Sequence, residues 1–328
     1  MTLPDPASPL SETAARAAFS AIFDGSCSEA EIMAFLVDLA DRGETAIEIA
    51  AAATEMRARM IGVEAPASAI DVCGTGGDGS HSLNISTATS LVVAACDIPM
   101  AKHGNRAASS KSGAADTLEA LGLDLAKAAT NAEQNLHEIG IGFFFAPNHH
   151  PALGPLAPIR KAIGRRTIFN LLGPLCNPAR VKRQLIGVAS PDLVETYAEA
   201  AAQLGYDKAM IVSGEEGLDE LSISGPSKVA TISDGAVTIS RITPENVGLT
   251  RHPAEAIKGG DPAYNAAALQ ALLQGEKSAY RDAVLLNSAA ALMVAGEVDS
   301  WEAGVEEAGE ALDKGLANAM LNCWIANQ

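Results

Sequence analysis

Residues 70–79 read Ile-Asp-Val-Cys-Gly-Thr-Gly-Gly-Asp-Gly, and after four more residues comes Asn84-Ile85-Ser86-Thr87. A short apolar run that ends in clustered glycines and is followed by a hydroxyl-rich helix start is a strand, a loop and a helix. The unit repeats at once. Ile70–Cys73 and Pro99–Lys102 are expected as strands, and Ile85–Cys96 and Ala114–Leu121 as helices. A β-α-β-α order requires a parallel sheet covered by helices.

Working outward toward the C-terminus, further strands are expected at Gly142–Ala146, Gln184–Val188, Ala209–Val212, Lys228–Ile232 and Ala236–Ile239. Ser190 and Pro191 should open the helix between the second and third of these, while Asn170-Leu171-Leu172-Gly173-Pro174 reads as a helix stop followed by a loop. Helices close the chain: one capped by Asp261 and Pro262, one over Ala279–Val294 and one from Ser300. Toward the N-terminus, residues up to about 66 read as three or four short helices, two opened by the capping boxes Ser28/Glu31 and Thr45/Glu48. Ile32, Phe35, Leu36 and Leu39 form one apolar stripe that Gly43 terminates. So small a helical unit should pack that stripe against the rest of the chain or against a second subunit, and the N-terminal helices are expected at or beside a subunit interface.

With 328 residues the chain has material for about two domains, and a hydrophobic content of 48% excludes disorder. Twenty-three basic against 40 acidic residues leave a net charge of −17, which repels nucleic acid and anionic membranes. Neither is expected as a partner. No cationic leader precedes an apolar segment, and the 5 cysteines are scattered without CxxC spacing. A cytoplasmic protein with reduced thiols is expected.

Several segments could carry chemistry. Gly74–Gly79 fits the dinucleotide spacing GxGxxG, yet Lys102-His103 stands where the second strand should end in an acid. Asp78 inside the loop would repel a bare pyrophosphate, which points to ribose hydroxyls, a donor or a metal as its neighbour; a tight glycine turn is the alternative. Asn84–Thr87 offers hydroxyls and free amides at a helix start, although an ordinary cap would look the same. Lys102-His103-Gly104-Asn105-Arg106-Ala107-Ala108-Ser109-Ser110 sets cations and hydroxyls after a second strand. Two anion-type loops at the carboxyl ends of adjacent strands favour phosphate binding more than either does alone.

Between Pro151 and Arg183 there is no acid, and Arg160, Lys161, Arg165, Arg166, Arg180, Lys182 and Arg183 supply 7 of the 23 cations, where even spreading would place about two. This is a second candidate anion site, or a solvated basic face. Gly217-Leu218-Asp219-Glu220 places adjacent carboxylates on a loop. They are hard ligands suited to Mg²⁺ with substrate phosphates, but an exposed acidic turn is the commoner meaning of such a pair. His149 and His150 diverge as neighbours and read as wall or substrate-contact residues.

Taken in order, GTGGDG from Gly74, NIST from Asn84, KHGNR from Lys102, SGAADTLEALG from Ser112, RTIFNLLGPLCNPA from Arg166 and GLDE from Gly217 strongly resemble the anthranilate phosphoribosyltransferase family. The resemblance implies an α/β chain with a small N-terminal helical domain packed on a larger α/β domain with a central, mostly parallel sheet. The helical domain would comprise residues 1–66 joined by part of 160–183, and the second domain, residues 67–328, would bind phosphoribosyl diphosphate (PRPP). It further implies a homodimer of tryptophan biosynthesis that joins PRPP to the amine of anthranilate. PRPP contacts would fall on Gly74, Gly77, Asp78, Ser82, Asn84, Ile85, Ser86, Thr87, on the loop Lys102, His103, Gly104, Asn105, Arg106, Ala107, Ala108, Ser109, Ser110, and on Ala114. Anthranilate contacts would fall on Gly74, Asn105 and Arg160, and two Mg²⁺ ions per subunit on Ser86, Asp219 and Glu220. No side chain is implied as acid, base or nucleophile. Ser82-Leu83 departs from the family's usual Thr-Phe, which touches the shape of the PRPP pocket. The rivals are a pyrimidine-nucleoside phosphorylase, against which GLDE argues, and a non-catalytic nucleic-acid-binding relative, against which the charge argues.

Overall fold

The computed structural model describes residues 3–107 and 110–328, so Ala108 and Ser109 of the expected PRPP loop lie outside the described residues. Seven strands form one sheet: β1 Ile70–Gly74, β2 Met100–Gly104, β3 Ile141–Phe145, β4 Arg183–Gly187, β5 Lys208–Gly214, β6 Ser227–Ser233 and β7 Ala236–Ile242. Their order is β3-β2-β1-β4-β5-β6-β7. The first five in that order are parallel and β6 and β7 are antiparallel. The first four residues of β1, β2 and β3 are all buried, as expected of parallel strands covered on both faces.

The chain runs outward from β1 to β3 and then returns to lay β4 on the other side of β1. Gly74 and Gly187, the last residues of β1 and β4, are therefore partners across the point where the strand order reverses. Ligands of open α/β sheets sit outside such a reversal.

One face of the sheet packs Val72, Leu185, Met210 and Val212 against the helix Ile85–Ala94 and the long helix Ala279–Ala295. Against the other face, Ile186, Val188 and Ile211 share a core with the helix Leu193–Gln203 and the N-terminal helices α1 Glu12–Phe23, α2 Glu29–Arg42 and α3 Ala46–Ala58. The result is a small helical domain on a larger α/β domain. Both capping boxes form, with Ser28 and Thr45 accepting from the amides of Glu31 and Glu48.

Of the two places expected for the stripe, the structure shows the rest of the chain. Ile32, Phe35, Leu36 and Leu39 are each no more than 3% exposed, consumed within the chain in the core that includes Ile159, Ile168 and Phe169. They give no reason for a second subunit. Two boundaries also shift. The helix expected from Ser190 begins at Leu193, because the Ser190 carbonyl accepts from Leu193 and makes a turn first. The expected stop at Gly173 instead lies inside a single helical turn, Leu172–Leu175. Among the described residues no helix is long and apolar enough to cross a membrane.

Candidate active site

The loop after β5 crosses the ends of β1 and β4. A Cβ at Gly187 would lie 1.6 Å from the Asp219 carbonyl oxygen, and one at Gly74 2.2 Å from Asp219 Oδ2, so only glycine lets this backbone pass. Leu218, 4% exposed, roots the loop in the core, and Asn287 on the long helix exchanges two hydrogen bonds with the Leu221 backbone at 3.0 and 3.1 Å. Asp219 and Glu220 are thereby held at the switch point and are not an exposed turn. Asp219 Oδ2 accepts from the Gly76 amide at 2.7 Å, and Glu220 Oε1 from the Ser86 amide at 3.1 Å at the start of the helix Ile85–Ala94.

Few other donors reach these carboxylates. Burial and the nearby charge of Asp78 push Asp219 up to about 6, and burial with the charge of Asp219 pushes Glu220 well above the usual carboxylate range. Asp78 Oδ2 is buried without a hydrogen-bond partner, as is Thr87 Oγ1. Hard carboxylate oxygens crowded together and short of donors suit a hard divalent cation such as Mg²⁺. Among the described residues no set of three or more His, Cys, Asp or Glu side chains is arranged to hold a metal alone. An ion here would therefore complete its shell with phosphate oxygens and water.

The two expected anion loops converge on this point. Gly76, Gly77 and Gly79 take left-handed φ angles of +67°, +70° and +76°, which coil the first loop above β1. Lys102 is 2% exposed and donates to the Val72 carbonyl, and its charge reaches Asp71 on one side and Glu220 on the other. The Asn84 side chain is fixed from several sides, while Ile85 is core and can offer only its backbone. Ser82 bridges to Lys258, and Leu83 is buried with its amide on the Ile257 carbonyl at 2.8 Å, so the departure from Thr-Phe sits against the segment 254–258. In the second loop the Asp116 carboxylate accepts from Ala107 N and Gly113 N, both at 2.9 Å. Arg106 pairs with Asp116 at 2.9 Å and Glu119 at 2.7 Å, so its guanidinium is already neutralised within the chain. Asn105 accepts from the Arg106 amide, Ser110 donates to the Ser112 carbonyl, and Ala114 lies under Gly104.

Arg160 projects from the helix Ala157–Ile163 with its guanidinium 5.9 Å from the Phe169 ring, and burial lowers its pKa. No carboxylate pairs with it among the described residues. His103 and His150 face each other at 3.2 Å between their Nε2 atoms; burial drives His103 well below its ordinary value and His150 down to about 4, so both are neutral. Their rings belong to the wall behind the second loop.

Sequence reasoning did not single out Arg166, whose guanidinium donates to the Gly77 carbonyl at 3.1 Å and lies near Asp219. Its place in the acid-free stretch was the available signal. Asp71, Asn265 and Asn287 carried none.

Two family models match the chain: the glycosyl transferase family helical bundle domain over residues 7–60 and the glycosyl transferase family a/b domain over residues 66–318. The chain is 62% identical to an anthranilate phosphoribosyltransferase of Novosphingobium aromaticivorans over 99% of this chain and 98% of the relative. It is 61% identical to that of Sphingopyxis alaskensis over 98% and 97%. The structure is similar to the anthranilate phosphoribosyltransferase of Thermus thermophilus, with a TM-score of 0.92 at 42% identity, covering 98% and 96% of the two chains. It is also similar to the enzyme of Saccharomyces cerevisiae in complex with PRPP and Mg, with a TM-score of 0.88 at 29% identity over 97% and 93%.

Proposed function

The chain belongs to the anthranilate phosphoribosyltransferases, and from that premise we propose how its residues share the transfer. The enzyme moves the phosphoribosyl group of PRPP to the amine of anthranilate, giving N-(5-phosphoribosyl)anthranilate and diphosphate. The observation that carries the division of labour is the seating of Asp219 and Glu220 on the two glycine-ended strands, beside both anion loops.

Asp219, Glu220 and the Ser86 hydroxyl would hold two Mg²⁺ ions, which when bound supply neutralising charge for the diphosphate. Asp78 would receive the ribose hydroxyls, and the amides of the glycine loop with Lys102 would take the phosphates. Arg106, committed to Asp116 and Glu119, acts there by shaping the loop. Arg160 is the cation left for the anthranilate carboxylate, with Asn105 and Gly74 closing that end. Arg166, clasped to Gly77, holds the glycine loop in position.

An aryl amine is a neutral nucleophile at pH 7, so no general base is required. Departure of diphosphate leaves positive charge on the ribose, and the Asp78 carboxylate would favour it electrostatically. Holding the amine against C1 contributes on the order of 7 kcal/mol or more of the barrier. In this reading residues 1–66, joined by part of 160–183, are the helical body, residues 67–328 bind PRPP, and the protein is a cytoplasmic homodimer of tryptophan biosynthesis.

The test follows the loss of anthranilate on adding PRPP and Mg²⁺, with phosphate plus uridine or thymidine in parallel. Consumption of anthranilate alone supports the division above; phosphorolysis of the nucleosides would replace it. Sedimentation checks the dimer.

A further inference from the structure

Beside the first anion loop, hydrogen-bond polarity passes from one buried residue to the next. The backbone N–H of Gly260 can only donate, and it donates to Asn265 Oδ1 at 2.7 Å. That fixes which end of the Asn265 amide faces Gly260 and leaves Nδ2 pointing the other way, where it donates to Asn84 Oδ1 at 2.8 Å. The Thr117 hydroxyl donates to the same oxygen at 2.5 Å, and Ser112 Oγ lies 2.8 Å behind that hydroxyl. Asn265 is 2% exposed and Thr117 fully buried, so water does not blur these directions.

Asn84 Oδ1 is thus claimed by two donors. Its Nδ2 has only a long contact of 3.4 Å, to the Ser112 carbonyl. The reversed amide would set Nδ2 against the fixed donor of Asn265 and Oδ1 against that carbonyl, so both ends oppose the flip, although the Thr117 hydroxyl could turn to suit either. The Tyr280 hydroxyl, donating to the Asn84 carbonyl at 2.9 Å, pins the backbone beneath. The half-buried Asn84 consequently presents an N–H, and not an oxygen, to the space in front of the loop.

We infer that Asn265, which lies 181 positions along the chain from Asn84, is a positioning residue for PRPP: it sets the amide of Asn84 so that a donor faces the anion. This rests on reading Asn84 as a PRPP contact.

Asn265→Asp isolates the relay. A carboxylate still accepts from Gly260 but turns an acceptor toward Asn84, whose amide would reverse and present an oxygen to the phosphate. The PRPP KM should rise ~10-fold or more, the scale of a lost hydrogen bond to a charged group, while the anthranilate KM stays within about twofold. Thr117→Val, which removes the second donor without changing shape, should raise the PRPP KM by about threefold and serves should Asn265→Asp fold poorly. Asn84→Ala should raise the PRPP KM, and adding Asn265→Asp to it should change that KM by less than about twofold.

A raised PRPP KM that vanishes as an effect in the Asn84→Ala background supports the relay. An unchanged KM in folded Asn265→Asp and Thr117→Val, beside a raised KM in Asn84→Ala, overturns the relay alone. An unchanged KM in Asn84→Ala overturns the contact and the relay together. Equal effects of Asn265→Asp with and without Asn84 would make Asn265 merely structural and also sink the idea.

Discussion

Two sets of buried carboxylates lie within reach of Lys102, and they are treated in opposite ways. Asp71, fully buried on β1, accepts from the His103 amide at 3.2 Å, Asn177 Nδ2 at 2.9 Å, Gln184 Nε2 at 3.0 Å and the Cys73 thiol at 3.3 Å. Burial raises its pKa, and Lys102 with three of those donors, Asn177, Cys73 and His103, pulls back. Gln184 continues the network to Tyr206, and Tyr206 to Arg57 of α3, so the saturated carboxylate ties the helical domain to the sheet. Asp219 and Glu220 each accept from one backbone amide. The carboxylate that holds structure together is given its donors by the chain; the pair proposed to take a cation from outside is left wanting them.

Replacing Asp219 and Glu220 by Asn and Gln should break the comparison most visibly. We expect kcat/KM to fall by about three orders of magnitude or more, while the metal-free protein unfolds at the same or a higher temperature because a repulsion has gone. A Mg²⁺ titration under saturating PRPP, with circular dichroism for the fold, measures both. Wild-type turnover would return the pair to a structural role.

Asp71→Ala should do the reverse. Leaving the His103 amide, Asn177 and Gln184 without this acceptor, and Lys102 without its nearby countercharge, should cost ~3–5 kcal/mol in urea unfolding. A loss under ~0.5 kcal/mol would mean the donors find other partners and that saturation at this site holds nothing together.

pH probes the same region a second way, because His150 and Asp219 titrate with opposite sign. His150, at about 4 when folded and 6.5 ordinarily, binds its proton more readily unfolded, so stability is full above 6.5 and is lost as pH falls toward 4, by on the order of 3 kcal/mol. Asp219, at about 6 when folded and 3.8 ordinarily, holds its proton more tightly when folded, so the metal-free protein loses stability as pH rises from 3.8 through 6. Thermal melts from pH 4 to 7 should show the rising cost shrink in Asp219→Asn and the acid loss shrink in His150→Gln. Unchanged profiles would refute the assignments.

Arg160 extends the rule to a cation without an acidic partner. Arg160→Ala should raise the anthranilate KM by ~10-fold or more, from ~1.5–3 kcal/mol for a charge-assisted contact, and that of PRPP far less. Equal effects on both would remove Arg160 from the anthranilate end.

The parallel part of the sheet was legible in the sequence because βαβα patterning and glycine loops are local signals. Ile70–Gly79 alone reads as a strand ending at a glycine loop, and the second loop after Lys102 turns that reading toward phosphate. The meaning of Asp219-Glu220 was not local, since adjacent acids on a loop are commonly solvated, and only the glycine ends of β1 and β4 show that the loop is buried over them. Arg166 reaches Gly77 across 89 positions, and Asn265 reaches Asn84 across 181. No spacing rule spans such distances. The stripe of α2 left its partner open because periodicity shows that a face is buried but not against what.

Seating Asp219 on Gly74 and Gly187 also fixes when the site can exist. The contact between Gly76 and Asp219 closes 143 positions of chain, and it needs β4 already beside β1 and β5 beside β4. Closing so long a segment is entropically slow compared with forming the helices within it. During synthesis the glycine loop with Asp78 emerges long before Asp219 and Glu220, so a growing chain that stops before residue 219 has the loop without the carboxylates that seat against it. The corner where those carboxylates meet the glycine-ended strands exists only once the last parallel strand has taken its place.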